Sequence, residues 1–155
     1  MRYYLLVGLV TAAALLAGCG DRVPVEIPGI TGPKASDEEQ IAAVLDDINR
    51  GLQSRSIYKV LAHVSRNYQD PKGRDYEGLK ASLSKFFKEY GEIRITRPPP
   101  RILVQGRRAR VVETFGVSAR PLRPDIEPIN MQGQVNVFLE KVGDAWQLVG
   151  WGDVL

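Results

Sequence analysis

The chain has 155 residues, 44% of them apolar, which is enough for one small globular domain and too little for two. Its net charge of +3 is too small an excess to indicate a nucleic-acid partner by itself. One Cys and one His exclude an internal disulfide framework and any zinc or iron–sulfur site built from these two residue types. We therefore expect no metal and no cofactor.

The first 18 residues have the pattern of a bacterial export signal. Arg2 gives a short positive region, and residues 5–16 form an apolar run shorter than the roughly 20 residues that a bilayer span needs. The run ends in Leu-Ala-Gly-Cys at residues 16–19, which resembles the lipobox of bacterial lipoproteins. The resemblance implies cleavage before Cys19 and its acylation, with palmitate or a similar chain. An ordinary signal peptide that contains a Cys is the alternative.

Residues 19–35 are expected to form a lipidated Cys followed by a flexible tether. Residues 20–35 contain three Gly and three Pro without a sustained hydrophobic period. Such a segment reaches about 50 Å when fully extended and about 20–25 Å as a coil. Asp21 lies one place after the position where enterobacterial lipoproteins carry their inner-membrane retention signal. The expected location is therefore the periplasmic leaflet of the outer membrane rather than the inner membrane.

Three helices are predicted at the start of the remaining domain, residues 36–155. Ser36 and Glu39 have the spacing of a capping box, and apolar residues at helical spacing behind them predict a helix over residues 37–53. A shorter stripe from Ile57 to Val64 predicts a second helix. A turn containing Asp70-Pro71 then leads into a third helix, predicted from Tyr76 to Tyr90.

After Gly91 the apolar period changes to two, which predicts strands. The three prolines at residues 98–100 indicate a bend or an edge. Residues 107–119 and 129–139 alternate in polarity, and residues 145–152 form a last strand. Trp146 and Trp151 are five residues apart, so we expect them on opposite faces, one in the core and one outside. Helices followed by long strands predict an α+β fold with the helices on one face of a mainly antiparallel sheet.

This order of elements resembles the nuclear transport factor 2-like superfamily, which includes the SnoaL-like proteins. The resemblance extends over about residues 36–153. It is carried by Tyr-x-Asp-Pro-x-Gly at residues 68–73 and by Trp-x-Leu-x-Gly-Trp at residues 146–151. It implies a cone-shaped fold with a curved sheet, and a homodimer formed through the outer sheet face. Isomerases, dehydratases, transport adaptors and binding modules share this fold, so the fold does not define the activity.

Glu113 is the candidate catalytic residue, because superfamily enzymes such as ketosteroid isomerase place acid–base residues inside the cone. By parity it shares a face with Phe115, where an unpaired carboxylate is costly. Phe115 and Tyr68 are the other pocket candidates. A buried ion pair with an Arg and exposure at a sheet bend are the alternatives for Glu113. We expect Asp70 to stabilise its turn and His63 to be a solvated surface residue.

Basic residues are concentrated late in the chain. Between residues 94 and 123 there are eight Arg and one acid, and Arg108, Arg110 and Arg120 share one strand face. A solvated face balanced by the acidic first helix is one interpretation. The other is a surface for anionic lipid headgroups, an acidic glycan or an acidic envelope protein, since the guanidinium fork binds phosphate and carboxylate well.

No pair of carboxylates with an adjacent donor can be assigned, so the sequence favours a domain without catalysis. The leading hypothesis is a membrane-anchored envelope lipoprotein whose domain binds a small apolar ligand or an assembly partner. One alternative is an isomerase or dehydratase with Glu113 as base and a pocket Tyr as donor. Another is a structural envelope component that acts through its Arg-rich face. Nucleic acid is not expected as a partner of an exported, tethered chain.

Overall fold

A computed structural model describes residues 34–153. The predicted export signal, Cys19 and nearly all of the predicted tether lie outside the described residues, as do residues 154–155. Within residues 34–153, no helix combines the length and the apolar character that a membrane crossing requires.

The three predicted helices are present as α1 (Asp37–Gln53), α2 (Ile57–Leu61) and α3 (Tyr76–Glu89). The capping box at the start of α1 forms as expected: the Glu39 amide donates to Ser36 Oγ at 3.2 Å, and the Ser36 amide donates to Glu39 Oε2 at 2.8 Å. Helix α2 ends before Val64, because the chain there forms a parallel bridge to Leu148 in the last strand.

Five strands follow and form one antiparallel sheet: β1 (Tyr90–Thr96), β2 (Arg101–Gln105), β3 (Arg108–Pro121), β4 (Ile129–Val142) and β5 (Ala145–Asp153). The order is β1-β3-β4-β5, and β2 pairs with the other half of β3. Strands β1 and β2 therefore lie end to end along one edge of β3. The three prolines fall in the bend between them, as predicted.

The helices cover one face of this curved sheet, which confirms the predicted α+β class. One part of the core packs α1 against β3, β4 and β5 and includes Ile41, Val111, Leu139 and Trp146. The other packs α2 and α3 against β1 and β3 and includes Val60, Phe87 and Ile93. The alternation predicted for β3 is observed, since Ala109, Val111 and Ala119 are buried, whereas Arg108, Arg110 and Arg120 are exposed.

A bulge in β5 makes the prediction for the two tryptophans wrong. Leu148 pairs with Leu139 and Gly150 pairs with Phe138, so Val149 is an extra residue without a partner in β4. After this bulge the odd-numbered residues of β5, rather than the even-numbered ones, face the helices. Trp151 consequently lies opposite Val137 and faces the helices, as Trp146 does.

Residues 63–69 cover the free edge of β5 beside this bulge. The Ser65 amide donates to the Leu148 carbonyl at 2.8 Å, and the Gln69 amide donates to the Val149 carbonyl at 2.9 Å. A Cβ atom at Gly150 would lie 2.5 Å from the Gln69 carbonyl oxygen. Glycine at position 150 is therefore what permits this close approach of two backbones.

We predict that Gly150→Ala lowers the free energy of unfolding by about 1–3 kcal/mol, because the new methyl group pushes residue 69 away from the strand. Gly152→Ala is the matched control, since its Cβ would meet nothing closer than Phe138 at 3.6 Å. We expect the control to change stability by no more than about 0.5 kcal/mol. Urea denaturation measures both values, and equal stability of the two variants would contradict the assigned packing.

Candidate functional site

A cavity of about 450 Å³ lies between α1 and the inner face of the sheet. Its wall is mainly aliphatic and aromatic, and its polar residues are Glu113 from the middle of β3, Asn49 from α1 and Gln134 from β4. Met131 is 54% exposed and stands at the open side. The lining residues are Leu45, Ile48, Asn49, Leu52, Glu113, Phe115, Met131, Gln134, Val135, Val137, Leu148 and Trp151.

Glu113 forms an ion pair with Arg97 at the wall of this cavity. Its Oε1 atom lies 3.0 Å from Arg97 Nη1, and the two side chains are only 12% and 11% exposed. Arg97 also pairs with Asp46, which is on the outer side of α1 and 57% exposed. Of the alternatives for Glu113, the structure therefore shows the ion pair, and it places that pair beside a cavity. The guanidinium compensates a carboxylate that would otherwise be costly in an apolar wall.

Phe115 is on the cavity wall, two residues along β3 from Glu113. Its ring lies over Gly133, the residue opposite it in β4, where an added Cβ would come within 3.3 Å of the ring. The absence of a side chain at Gly133 provides the space that the ring occupies.

Tyr68 does not face the cavity, contrary to the sequence-based expectation. Tyr68 is 2% exposed, and its hydroxyl interacts with the side chain of Trp151, which forms the wall instead. Burial and, secondarily, the nearby Asp70 carboxylate raise the pKa of Tyr68 above its ordinary value. Tyr68 thus supports Trp151 rather than presenting a donor to a ligand.

Asp70 stabilises its turn, as its sequence context predicts. Its fully buried Oδ1 accepts from the amides of Lys72 and Arg74 at 2.8 and 3.0 Å, and its Oδ2 accepts from Arg74 Nε at 2.6 Å. Burial by itself would raise the pKa of Asp70, but these hydrogen bonds outweigh it, and the pKa lies below the ordinary value.

His63 is less solvated than expected. Its side chain is 27% exposed, and its Nε2 atom lies 3.3 Å from a carboxylate oxygen of Asp47 in α1. No His belongs to the wall of the cavity as the described residues define it. Among residues 34–153, no cluster of three His, Cys, Asp or Glu side chains is arranged to hold a metal ion.

Three residues of this site, Arg97, Asn49 and Trp151, were not predicted from the sequence to belong to it. Arg97 follows Ile93 and Ile95 at alternate positions, so the alternation of the strand indicates that its side chain points towards the helices. The neighbouring arginines in the sequence make this signal easy to overlook. Asn49 borders the apolar stripe of α1. Trp151 turns inward because of the bulge, for which a glycine inside a strand is the available signal.

The predicted basic surface divides into two parts. Arg108, Arg110 and Arg120 are all exposed on the outer face of β3, but Arg120 is ten residues from Arg110, or about 33 Å along the strand. Arg120 lies 3.4 Å from the Glu92 carboxylate, which also pairs with Arg94. Arg108 and Arg110 instead lie beside β2 and form no ion pair with another described residue.

No protein-family model matches the chain, and no curated protein matches its sequence. Its structure is similar to a candidate scytalone dehydratase from Novosphingobium aromaticivorans, with 15% identity, 72% of this chain and 78% of that chain covered, and a TM-score of 0.65. It is also similar to a nuclear transport factor 2-like superfamily protein from Salmonella enterica serovar Typhimurium, with 14% identity, 76% and 92% coverage, and a TM-score of 0.63. A third similar structure is a candidate dehydratase of the nuclear transport factor 2-like family from Streptomyces avermitilis. It has 12% identity, 77% of this chain and 96% of that chain are covered, and the TM-score is 0.63. The predicted nuclear transport factor 2-like fold is therefore confirmed.

We predict that Asp70→Asn lowers the free energy of unfolding by about 1–3 kcal/mol at neutral pH, because an amide cannot accept from all three donors. Since the pKa of Asp70 is lower in the folded chain, this stabilisation is present above about pH 4 and is lost as the pH falls further. The control is Asp75→Asn at the N-cap of α3, where Asn caps nearly as well as Asp. Chemical denaturation from pH 3 to pH 7 tests this, and a pH-independent difference between wild type and Asp70→Asn would contradict it.

Proposed function

We propose that this protein is a bacterial envelope lipoprotein whose folded domain binds a small, largely apolar molecule without converting it. The observation that carries the proposal is the apolar cavity of about 450 Å³ whose acidic side chain, Glu113, is compensated by Arg97. Cavities of roughly 300–1,000 Å³ with apolar walls and few polar groups are typical of small-molecule sites.

The polar groups indicate the chemistry of the ligand. Arg97 Nη1 lies 3.0 Å from one carboxylate oxygen of Glu113, and a carboxylate can also accept a hydrogen bond from a hydroxyl or N–H group of a ligand. The Asn49 amide offers both a donor and an acceptor. The ligand class is therefore an apolar body, such as a fused-ring or long-chain compound, that carries at least one hydroxyl or amine.

The same geometry favours binding over acid–base catalysis. The Glu113 carboxylate is already engaged by Arg97 at 3.0 Å, and a buried ion pair of this kind is a structural arrangement rather than a free general base. Tyr68, the donor that an isomerase or dehydratase mechanism would use, lies beside Trp151 and not on the wall. The neighbours described as candidate dehydratases share 12–15% identity with this chain and support a common fold rather than a common reaction.

The N-terminal sequence supports the membrane part of the proposal. Leu-Ala-Gly-Cys at residues 16–19 matches a lipobox, and residues 20–35 supply a tether between the anchor and the domain. Two or three acyl chains on Cys19 would anchor the protein durably. The proposed location is the periplasmic leaflet of the outer membrane.

We predict that the protein isolated from the bacterial envelope carries a bound small molecule, seen in native mass spectrometry as an extra mass that dissociates on activation. Val135→Phe fills part of the cavity and should abolish the extra mass. Val112→Phe is the control, because Val112 neighbours Glu113 in β3 but points to the outer face. Retention of the ligand by Val135→Phe, or a bare mass for wild type, would contradict binding in this cavity.

Glu113→Gln separates binding from catalysis. We expect the purified protein to leave the released molecule chemically unchanged, and Glu113→Gln to reduce its occupancy because the amide is a weaker acceptor. Incubation followed by chromatography coupled to mass analysis provides the measurement, because an isomerised product keeps its mass and differs only in retention. Turnover by wild type that disappears in Glu113→Gln would favour the isomerase or dehydratase alternative.

We predict that Cys19→Ser prevents the incorporation of labelled palmitate and moves the protein from the detergent phase to the aqueous phase. Cys19 is the sole thiol of the chain, so no other Cys can replace it. Gly20→Ser is the control, since it keeps the Cys and should keep the label. Continued labelling of Cys19→Ser would refute the anchor without bearing on the cavity.

A further inference from the structure

The outer face of the sheet presents a second surface, distinct from the cavity, where arginines surround exposed apolar side chains. We propose that this surface docks on an anionic phospholipid bilayer. It is called here the basic face and consists of Arg101 and Leu103 of β2, Arg108 and Arg110 of β3, and Phe138 of β4.

Strand register brings these residues together. Leu103, Arg110 and Phe138 are direct neighbours across three adjacent strands, because Arg110 pairs with Leu103 on one side and with Phe138 on the other. Leu103 is 55% exposed and Phe138 is 40% exposed, so two large apolar groups flank one guanidinium in water. Arg101 is two residues from Leu103 in β2, and Arg108 is two residues from Arg110 in β3, so both also point to the outer face.

The described acidic residues offset only part of the charge of the basic face. Arg101, Arg108 and Arg110 form no ion pair within residues 34–153. Glu140 is opposite Arg108 in the register and is the acidic neighbour of this face; its Oε1 accepts a hydrogen bond from Ser65 Oγ at 3.0 Å, and it forms no ion pair with Arg108. This contrasts with Arg94 and Arg120 at the other end of the same face, which share the Glu92 carboxylate.

The domain begins close to the end of the sheet that carries the basic face. Asp37, the first residue of α1, accepts from Trp146 Nε1 at 3.0 Å and pairs with Lys141 at the β4–β5 hairpin. The Lys141 amide in turn donates to the Arg107 carbonyl at 2.8 Å, next to Arg108. The described chain therefore starts at the end of the sheet that carries the basic face, on the helix side of that sheet, and a tether of at most about 50 Å would keep the domain near the membrane.

An anionic bilayer fits this surface better than a second copy of the chain. Self-association through the basic face would bring like charges together, which disfavours such a dimer. Lipid phosphates accept bidentate hydrogen bonds from Arg, and the interfacial zone accepts the apolar side chains Leu103 and Phe138. The membrane anchor of the proposed function raises the local concentration of bilayer, but the contact itself depends only on the face.

The test uses the polypeptide that begins at Gly20, which contains every described residue and has no acyl chain. Co-flotation is measured with vesicles of phosphatidylcholine alone and with vesicles that also contain phosphatidylglycerol. We expect binding to the anionic vesicles only, and weaker binding as salt is added. Because each Arg near an anionic surface contributes about 1 kcal/mol, Arg108→Gln with Arg110→Gln should lower the partition coefficient by about 30-fold.

Arg94→Gln with Arg120→Gln is the matched control, because it removes the same charge from the distant end of the same outer face. This double variant should bind almost as wild type does. Leu103→Ser with Phe138→Ser keeps every charge and should lower binding several-fold, which separates bilayer contact from purely electrostatic attraction. Circular dichroism confirms that each variant is folded.

Three results would overturn the proposal: no binding of wild type to anionic vesicles, equal binding to neutral vesicles, or equal losses in the two arginine pairs. Since the polypeptide lacks Cys19, these results are independent of acylation. A failed anchor would appear in the palmitate experiment and leave the vesicle results unchanged. If the wild-type protein did not bind anionic vesicles but was retained on an acidic protein or glycan, that molecule would be the partner of the basic face instead of the bilayer.

Discussion

The ion pair between Glu113 and Arg97 is the interaction on which the character of the cavity depends. A lone carboxylate among Leu, Val, Phe and Trp side chains would carry a large desolvation cost. Arg97 reaches it only because β1 continues its alternation past Thr96, and Asp46 of α1 holds the same guanidinium from the solvent side. With Asp46, the pair therefore connects α1, the end of β1 and β3, and it places a carboxylate in a mainly apolar wall.

Strand β3 separates two surfaces of different chemistry. Its odd-numbered residues from Ala109 to Ala119 face the helices, and its even-numbered arginines face away from them. Alternation of side chains along a strand allows both patterns to coexist without compromise. A substitution on the helix-facing side of β3 can thus alter the cavity without changing the outer surface, and the reverse also holds. This requires that the register is kept, because a shift of one residue would exchange the two surfaces.

Much of the fold was predictable from periodicity. Helix α1, the start of α3 and the outward arginines of β3 follow from local patterns that burial then reinforces. Two features were not predictable in this way. The direction of Trp151 depends on a bulge at Val149, which in turn depends on the approach of Gln69 from a distant part of the chain. The partner of Glu113 depends on the bend at the three prolines, which returns β1 and β2 to the same edge of β3.

The positions of the two surfaces bear on how they would work together. The basic face lies near the end of the sheet where the domain begins, whereas Met131, exposed at the open side of the cavity, pairs with Val117 towards the other end of β3. A domain resting on a bilayer through the basic face would keep the open side of its cavity in the aqueous phase. In that arrangement, loss of the basic face would change the contact of the domain with the bilayer, while the affinity of the cavity would stay the same, because the two surfaces share no side chain.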